Sequence, residues 1–235
     1  RNRAVDGAVD LRHWEWRALW KQCRGDNVAP PFGFAQDQIW ELAISPNQEW
    51  LATATNDNIR VWNLKTRELA KTLVVDLDRG RGIAFTPRGD RLYGATAKGV
   101  VKSWSLPSFA ESQDILQLDG KVTDLVVSHD GRKLAIGSHG SSSWLTVYDL
   151  SSEDNVRRLA SREFRAKSLT LAFSPDGHRI ATGGGWRQGI QIVAASSLED
   201  QLVIPGRTTD SMCFSSDGRL LAACPHFPGK SIYVY

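Results

Sequence analysis

The sequence contains little sulfur and no strong excess of charge of either sign. Its 235 residues include three cysteines and one methionine, and 29 basic side chains stand against 26 acidic ones. Three cysteines cannot form a closed set of disulfides, and their spacing matches no zinc motif. We therefore expect Cys23, Cys213 and Cys224 to be small core residues in a reducing compartment. The even charge balance predicts no binding of nucleic acid.

Long hydrophobic runs and a secretory signal are lacking as well. The longest apolar stretches, such as residues 73–75, have strand length and are far too short to cross a bilayer, so we expect no direct membrane insertion. The opening residues do not follow the secretory pattern. A hydrophobic content of 41% and a charged content of 23% are near the globular average, which excludes wholesale disorder.

Patterns that carry catalysis or bind metals are also missing. The run Gly183-Gly184-Gly185 lies between two predicted strands, whereas phosphate-binding loops lead into a helix. None of the five histidines has a zinc-site spacing, and no acidic residue is placed to orient a Cys224–His226 pair. No serine lies in a nucleophile motif. We therefore predict no catalytic residue, no cofactor, no metal site and no enzymatic activity.

A short unit that recurs five times is the main feature that the sequence does have. Each copy contains an apolar strand, a Ser-Pro step or a variant of it, a turn with Gly or Asn, and a second small apolar strand. The Ser or Thr of this step stands at positions 45, 86, 128, 174 and 215, so the intervals are 41, 42, 46 and 41 residues. Such a regular period is typical of a repeat protein.

The local signals within each copy indicate strands. Asp-Gly follows the Ser step in three copies, and this dipeptide marks a hairpin between alternating apolar runs. A third strand ends in an aromatic residue at Trp62, Trp104, Tyr148 and Tyr235, with Val193 in the remaining copy. A weaker fourth strand follows. Four short strands every forty-odd residues predict the blades of a β-propeller, which bury their faces by stacking.

The copies resemble WD40 repeats, most clearly in LAISPNQEWLATATNDNIRVWNL at residues 42–64 and LAFSPDGHRIATGG at residues 171–184. This resemblance implies an all-β, WD40-type β-propeller that acts as a protein-interaction scaffold. No Gly-His pair precedes the first strand of any copy, so the family's buried Ser–His–Asp–Trp chain is largely missing and we expect more apolar packing. About five blades, against the family's usual seven or so, predict an incomplete ring. The predicted blades lie near residues 36–77, 78–118, 119–163, 164–204 and 205–235.

Residues 1–26 have a different pattern, and we expect an N-terminal helical segment there, followed by the repeat region at 27–235. Apolar residues between Val5 and Cys23 lie at helical spacing, which predicts a short helix over about residues 10–24. The string at 10–20, DLRHWEWRALW, resembles a segment that precedes WD40 repeats in large bacterial proteins, notably of planctomycetes, often after a serine/threonine protein kinase domain. The resemblance implies a part of a larger bacterial signalling protein. A cytoplasmic location is favoured, with an extracytoplasmic one open if the kinase is membrane-anchored.

The candidate partner-binding residues lie in the turns from second to third strands. They are Trp144, Trp186, Arg187, Phe227 and Lys230. Tryptophan and arginine most often anchor interfaces, and propellers present such turns on one rim, so a shared surface for other proteins is one hypothesis. The alternative is that each tryptophan folds back onto its own blade.

Two other functions stay open at this point. An enzyme or a small-molecule binder that uses the central channel needs polar side chains that point inward from the first strands. Those strands are apolar instead, for instance at residues 42–44 and 83–85, which favours a packed interior. The other possibility is a purely structural spacer. The identity of a partner is not readable from the sequence, because binding loops carry no general motif.

Overall fold

The structure, a computed structural model, describes residues 38–77, 82–109, 112–151, 156–184, 189–205, 209–225 and 232–235. The described residues form 19 strands in five antiparallel sheets and contain no helix, so the all-β, five-bladed propeller is confirmed. Within these ranges no helix has the length and hydropathy that a membrane crossing requires. The predicted helix at residues 10–24 lies outside the described residues, and the boundary near residue 26 stays a prediction.

Each sheet is one blade, numbered along the chain, with its strands in sequence order from one edge to the other. Blade 1 contains β1 (Glu41–Ile44), β2 (Trp50–Ala54), β3 (Asn58–Asn63) and β4 (Leu69–Val74). Blade 2 contains β5 (Ile83–Phe85), β6 (Arg91–Ala95), β7 (Val100–Ser105) and β8 (Gln113–Gln117). Blade 3 contains β9 (Lys121–Val127), β10 (Lys133–His139), β11 (Ser143–Asp149) and β12 (Arg157–Phe164). Blade 4 contains β13 (Thr170–Phe173), β14 (Arg179–Gly183), β15 (Ile190–Ala194) and β16 (Asp200–Ile204), and blade 5 contains β17 (Thr209–Phe214), β18 (Leu221–Pro225) and β19 (Tyr233–Val234).

The recurring Ser step closes the turn between the first and second strands of a blade. In blade 4, the buried Ser174 hydroxyl donates to Asp176 Oδ1 (2.5 Å) and accepts from the Arg179 amide (2.9 Å). Ser128 and Ser215 make the same two bonds in blades 3 and 5. Gly177, between these partners, has a φ of 67°, which glycine adopts without a Cβ clash. The repeated Ser-x-Asp-Gly pattern is therefore a hydrogen-bonded lock for one hairpin.

The hydrophobic core lies between blades. The described residues form four hydrophobic clusters, and each joins two neighbouring blades. Between blades 4 and 5, for example, Ala181 and Ile192 pack against Met212 and Ala223. The first strands of the five blades also contact one another in order, from β1 through β5, β9 and β13 to β17. A blade is therefore stabilised by its neighbours, as expected for stacked repeats.

The prediction that the cysteines are core residues is wrong for Cys213 and Cys224, which are both exposed. They lie on β17 and β18, on the face of blade 5 that points away from blade 4. The equivalent positions in blade 4, Ala172 and Gly183, are buried because blade 5 covers them. In blade 5, no described residue gives this face the same cover. Cys23 lies outside the described residues.

Candidate functional site

Trp144 lies at the start of β11, in the hairpin that β10 and β11 form. Its cross-strand neighbours are Ser138 on β10 and Glu163 on β12. Among the described strands, those of blade 3 are the longest, at seven or eight residues, so this hairpin extends further at its turn than its counterparts do. The Trp144 side chain is 40% exposed, which means that it neither folds back fully onto its blade nor projects entirely into solvent.

The backbone that holds Trp144 is fixed by its neighbour Ser143. The buried Ser143 hydroxyl donates to the Ala166 carbonyl (2.6 Å) and lies 2.7 Å from His139 Nδ1. Because the single hydroxyl proton goes to Ala166, His139 Nδ1 must carry the proton of the second bond. Ser143 thereby ties the hairpin to the link that leads into blade 4. The hairpin backbone at Trp144 therefore loses little conformational freedom when a partner binds.

The other four candidate residues, Trp186, Arg187, Phe227 and Lys230, lie outside the described residues, so their shared surface with Trp144 stays a prediction. The described residues at the β14–β15 turn do explain why glycines are needed there. A Cβ on Gly183 would clash with Thr209 Oγ1, and one on Gly184, where φ is 109°, would clash with the Ser168 carbonyl. Gly183 is the last residue of β14 and Gly184 follows it, so both glycines allow close packing where the turn begins.

The sequence analysis did not identify three charged residues at the end of β12 and in the link that follows it. Glu163 pairs with Trp144 across β11 and β12, and Arg165 and Lys167 follow it in the link to β13; all three are exposed. Their charges alternate with uncharged or buried residues, so they form no run that the sequence would reveal. Strand register would have identified Glu163, because the residue directly opposite an exposed tryptophan lies on the same surface. Trp144 therefore shares its surface with the carboxylate of Glu163, and two exposed cations, Arg165 and Lys167, lie in the link that follows β12.

The interior is not the packed apolar one that the first strands predict. An open cavity of about 630 Å³ lies among the first strands of blades 1, 3, 4 and 5. Its described lining combines apolar side chains with three carboxylates, those of Glu41, Asp124 and Asp210. The prediction was wrong because Glu41 and Asp124 directly precede the apolar triplets on which it rested.

Two of these carboxylates hold neighbouring blades together. Asp124 Oδ2 on β9 accepts a hydrogen bond from the Leu171 amide on β13 (2.7 Å). Glu41 Oε2 on β1 accepts from the Gly82 amide and from the Ile83 amide at the start of β5 (3.2 Å). Such bonds to an ionised acceptor are stronger than those between neutral groups. These carboxylates therefore have a structural role as straps between blades 1 and 2 and between blades 3 and 4.

Groups that would support metal chemistry are not evident in the part of the chain that the structure describes. Within it, no three His, Cys, Asp or Glu side chains are grouped so as to hold a metal ion.

Comparison with known proteins identifies the repeat. The family model described as "WD domain, G-beta repeat" matches residues 32–63, which include β1, β2 and β3. Residues 32–63 match a WD40 repeat. The chain is similar to WD repeat-containing protein 90 of Mus musculus, with 27% identity over 202 residues, 79% of this chain and 11% of that protein.

Two further relatives come from a fungus and a cyanobacterium. Eukaryotic translation initiation factor 3 subunit I of Aspergillus fumigatus is 27% identical over 177 residues, 67% of this chain and 50% of that protein. An uncharacterized WD repeat-containing protein of Synechocystis sp. is 29% identical over 101 residues, 43% of this chain and 29% of that protein. The chain spans half or less of the length of each of these WD40 relatives.

Proposed function

We propose that this WD40 propeller is a non-enzymatic scaffold that binds other proteins at the rim where the turns between second and third strands lie. The observation that carries the proposal is Trp144, a 40% exposed indole on a hairpin fixed by the hydrogen bonds of Ser143. Tryptophan is among the residues most enriched in the hot spots of protein interfaces. Exposed Glu163, Arg165 and Lys167 supply a polar surround that orients a partner.

The test compares two substitutions of exposed apolar residues in the full-length protein. Trp144→Ala should lower the recovery of crosslinked partner about 30-fold, the size of a hot-spot loss of roughly 2 kcal/mol. Leu202→Ala, on β16 and 53% exposed, is the matched control and should leave recovery unchanged. If both variants recover the same amount of partner, the rim is not the binding surface. If the parent protein recovers no partner at all, the structural spacer is favoured.

The second part of the proposal concerns the parent protein, which we infer to be a bacterial signalling protein such as a serine/threonine protein kinase. The string DLRHWEWRALW at residues 10–20 supports this part, and the cyanobacterial relative is consistent with a bacterial source. The upstream gene sequence provides the test. A kinase domain with its catalytic motifs ahead of residue 1 is expected, and an unrelated domain there would contradict it.

A second candidate function is the binding of a small organic cation in the central cavity. The negative charge of Asp210, with the strap carboxylates Glu41 and Asp124 in the same lining, favours it. The Trp40 indole, which donates to Asn56 Oδ1 (2.7 Å), is held at the same cavity. Titration calorimetry with tetramethylammonium should then give a binding signal that Asp210→Asn weakens. No heat of binding with the parent protein would remove this candidate.

A further inference from the structure

Two polar side-chain atoms on the middle strands of blade 4 are buried without a hydrogen-bond partner among the described residues. Thr182 on β14 is 2% exposed, and its Oγ1 has no such partner among the described residues. The same holds for Oε1 of Gln191 on β15. Thr182 and Gln191 are directly opposite each other in the β14–β15 register, so their side chains share one face of the sheet. This face points toward blade 3.

Blade 1 shows why the threonine hydroxyl lacks a partner. There the equivalent Thr53 accepts a hydrogen bond from the Trp62 indole at 3.3 Å. In blade 4, Val193 occupies the position of Trp62, since it pairs with Ile180 as Trp62 pairs with Leu51. Valine carries no donor and is much smaller than tryptophan. The substitution therefore accounts for the unpartnered Thr182 hydroxyl.

A small cavity adjoins these two groups. It has a free volume of about 10 Å³, with Phe164, Ala166 and Leu169 of the blade 3 side on one wall and Thr182 and Gln191 on the other. A buried water needs roughly 10–15 Å³ and two or more polar partners. The volume therefore admits one water molecule and excludes any larger ligand.

We propose that this cavity binds a single water molecule that links Thr182 Oγ1 to Gln191 Oε1. The water donates one hydrogen to the Gln191 carbonyl oxygen and exchanges a second hydrogen bond with the Thr182 hydroxyl. It thereby replaces the indole donor that blade 1 has and seals the contact between blades 3 and 4. Solvent is the ligand class, because both polar groups are neutral and the opposite wall is apolar.

The substitution Thr182→Val tests the proposal by the sign of its effect. If the water is bound, the hydroxyl is satisfied, and its loss should lower Tm by about 2–4 °C. If the site is dry, valine replaces an unsatisfied hydroxyl, and Tm should stay the same or rise. Thr53→Val is the matched control, and its Tm should fall in either case because Thr53 is bonded to Trp62.

Two further measurements test the water directly, and the first of them needs no variant. A high-resolution crystal structure of the parent chain should contain density for one water within hydrogen-bond distance of both Thr182 Oγ1 and Gln191 Oε1; an empty cavity overturns the proposal. The effects of Thr182→Val and Gln191→Leu on Tm should also be non-additive, because each removes one partner of the same water. Strict additivity contradicts a shared water.

Discussion

The outer faces of blades 1 and 5 differ from the same faces in the middle blades. Leu42 on β1 is 61% exposed, whereas the equivalent Leu125 on β9 is 1% exposed. Ile232, just before β19, is 73% exposed, whereas the equivalent Ile190 on β15 is 2% exposed. The residue types are identical within each pair. The presence of a neighbouring blade therefore decides whether an apolar residue is buried. An apolar residue in the repeat indicates only that its face is able to pack against another blade.

The largest expected effect comes from the leucine pair. Leu125→Ala should lower the free energy of unfolding by about 2–5 kcal/mol, because it opens a cavity between blades 2 and 3. Leu42→Ala should cost no more than about 0.5 kcal/mol, because little area is buried there. Urea denaturation of both variants measures the difference. Equal losses would mean that the outer face of blade 1 is covered in solution.

An intermediate effect is expected from a glycine in a blade interface. Gly183→Ala should cost about 1–3 kcal/mol, because the new Cβ meets Thr209 Oγ1 at the start of blade 5. Gly140→Ala is the matched control: its nearest contact would be an ordinary 3.5 Å, so its stability should be unchanged. Thermal melts of the two variants measure this. A neutral Gly183→Ala would show that blades 4 and 5 pack more loosely than the structure describes.

The smallest effect concerns acid stability and the Ser lock of blade 4. The hydrogen bond from Ser174 is the main reason that the pKa of Asp176 lies below its ordinary value of 3.8. A carboxyl with a lowered pKa stabilises the fold above its unfolded pKa and loses this contribution as the pH falls through the folded value. Below about pH 4 the parent should therefore lose stability.

Ser174→Ala should cost about 1 kcal/mol at neutral pH, and its further loss in acid should be shallower than that of the parent. Urea denaturation between about pH 3 and pH 7 measures both quantities. Ser141→Ala, at an exposed serine in the β10–β11 turn, should leave the profile of the parent unchanged. If the acid profiles of Ser174→Ala and the parent are parallel, the Ser174 hydroxyl is not the cause of the lowered pKa of Asp176.

The fold was predictable because its signals are local. The Ser–Asp lock spans few residues, and the alternation of apolar residues identifies strands without knowledge of the neighbouring blades. The inward carboxylate of Asp124 depends on a contact 47 residues away, and the exposure of Cys213 depends on which face lacks a neighbour. The unpartnered hydroxyl of Thr182 depends on the strand register that places Val193 where blade 1 has Trp62. For the candidate site, the turn position of Trp144 followed from the repeat. Its 40% exposure and the support from Ser143 required the register of β10, β11 and β12.

The Ser lock also bears on the order in which the chain folds. Its hydrogen bonds join Ser174 to Asp176 and Arg179, so the first hairpin of a blade closes within six residues of chain. Hairpins form in about 1–10 μs, far faster than the ribosome adds residues. Each hairpin therefore forms and reopens many times before the following blade is synthesised, and it persists once that blade packs against it. The carboxylate straps, which span 47 residues in the case of Asp124 and Leu171, form only after that blade has emerged.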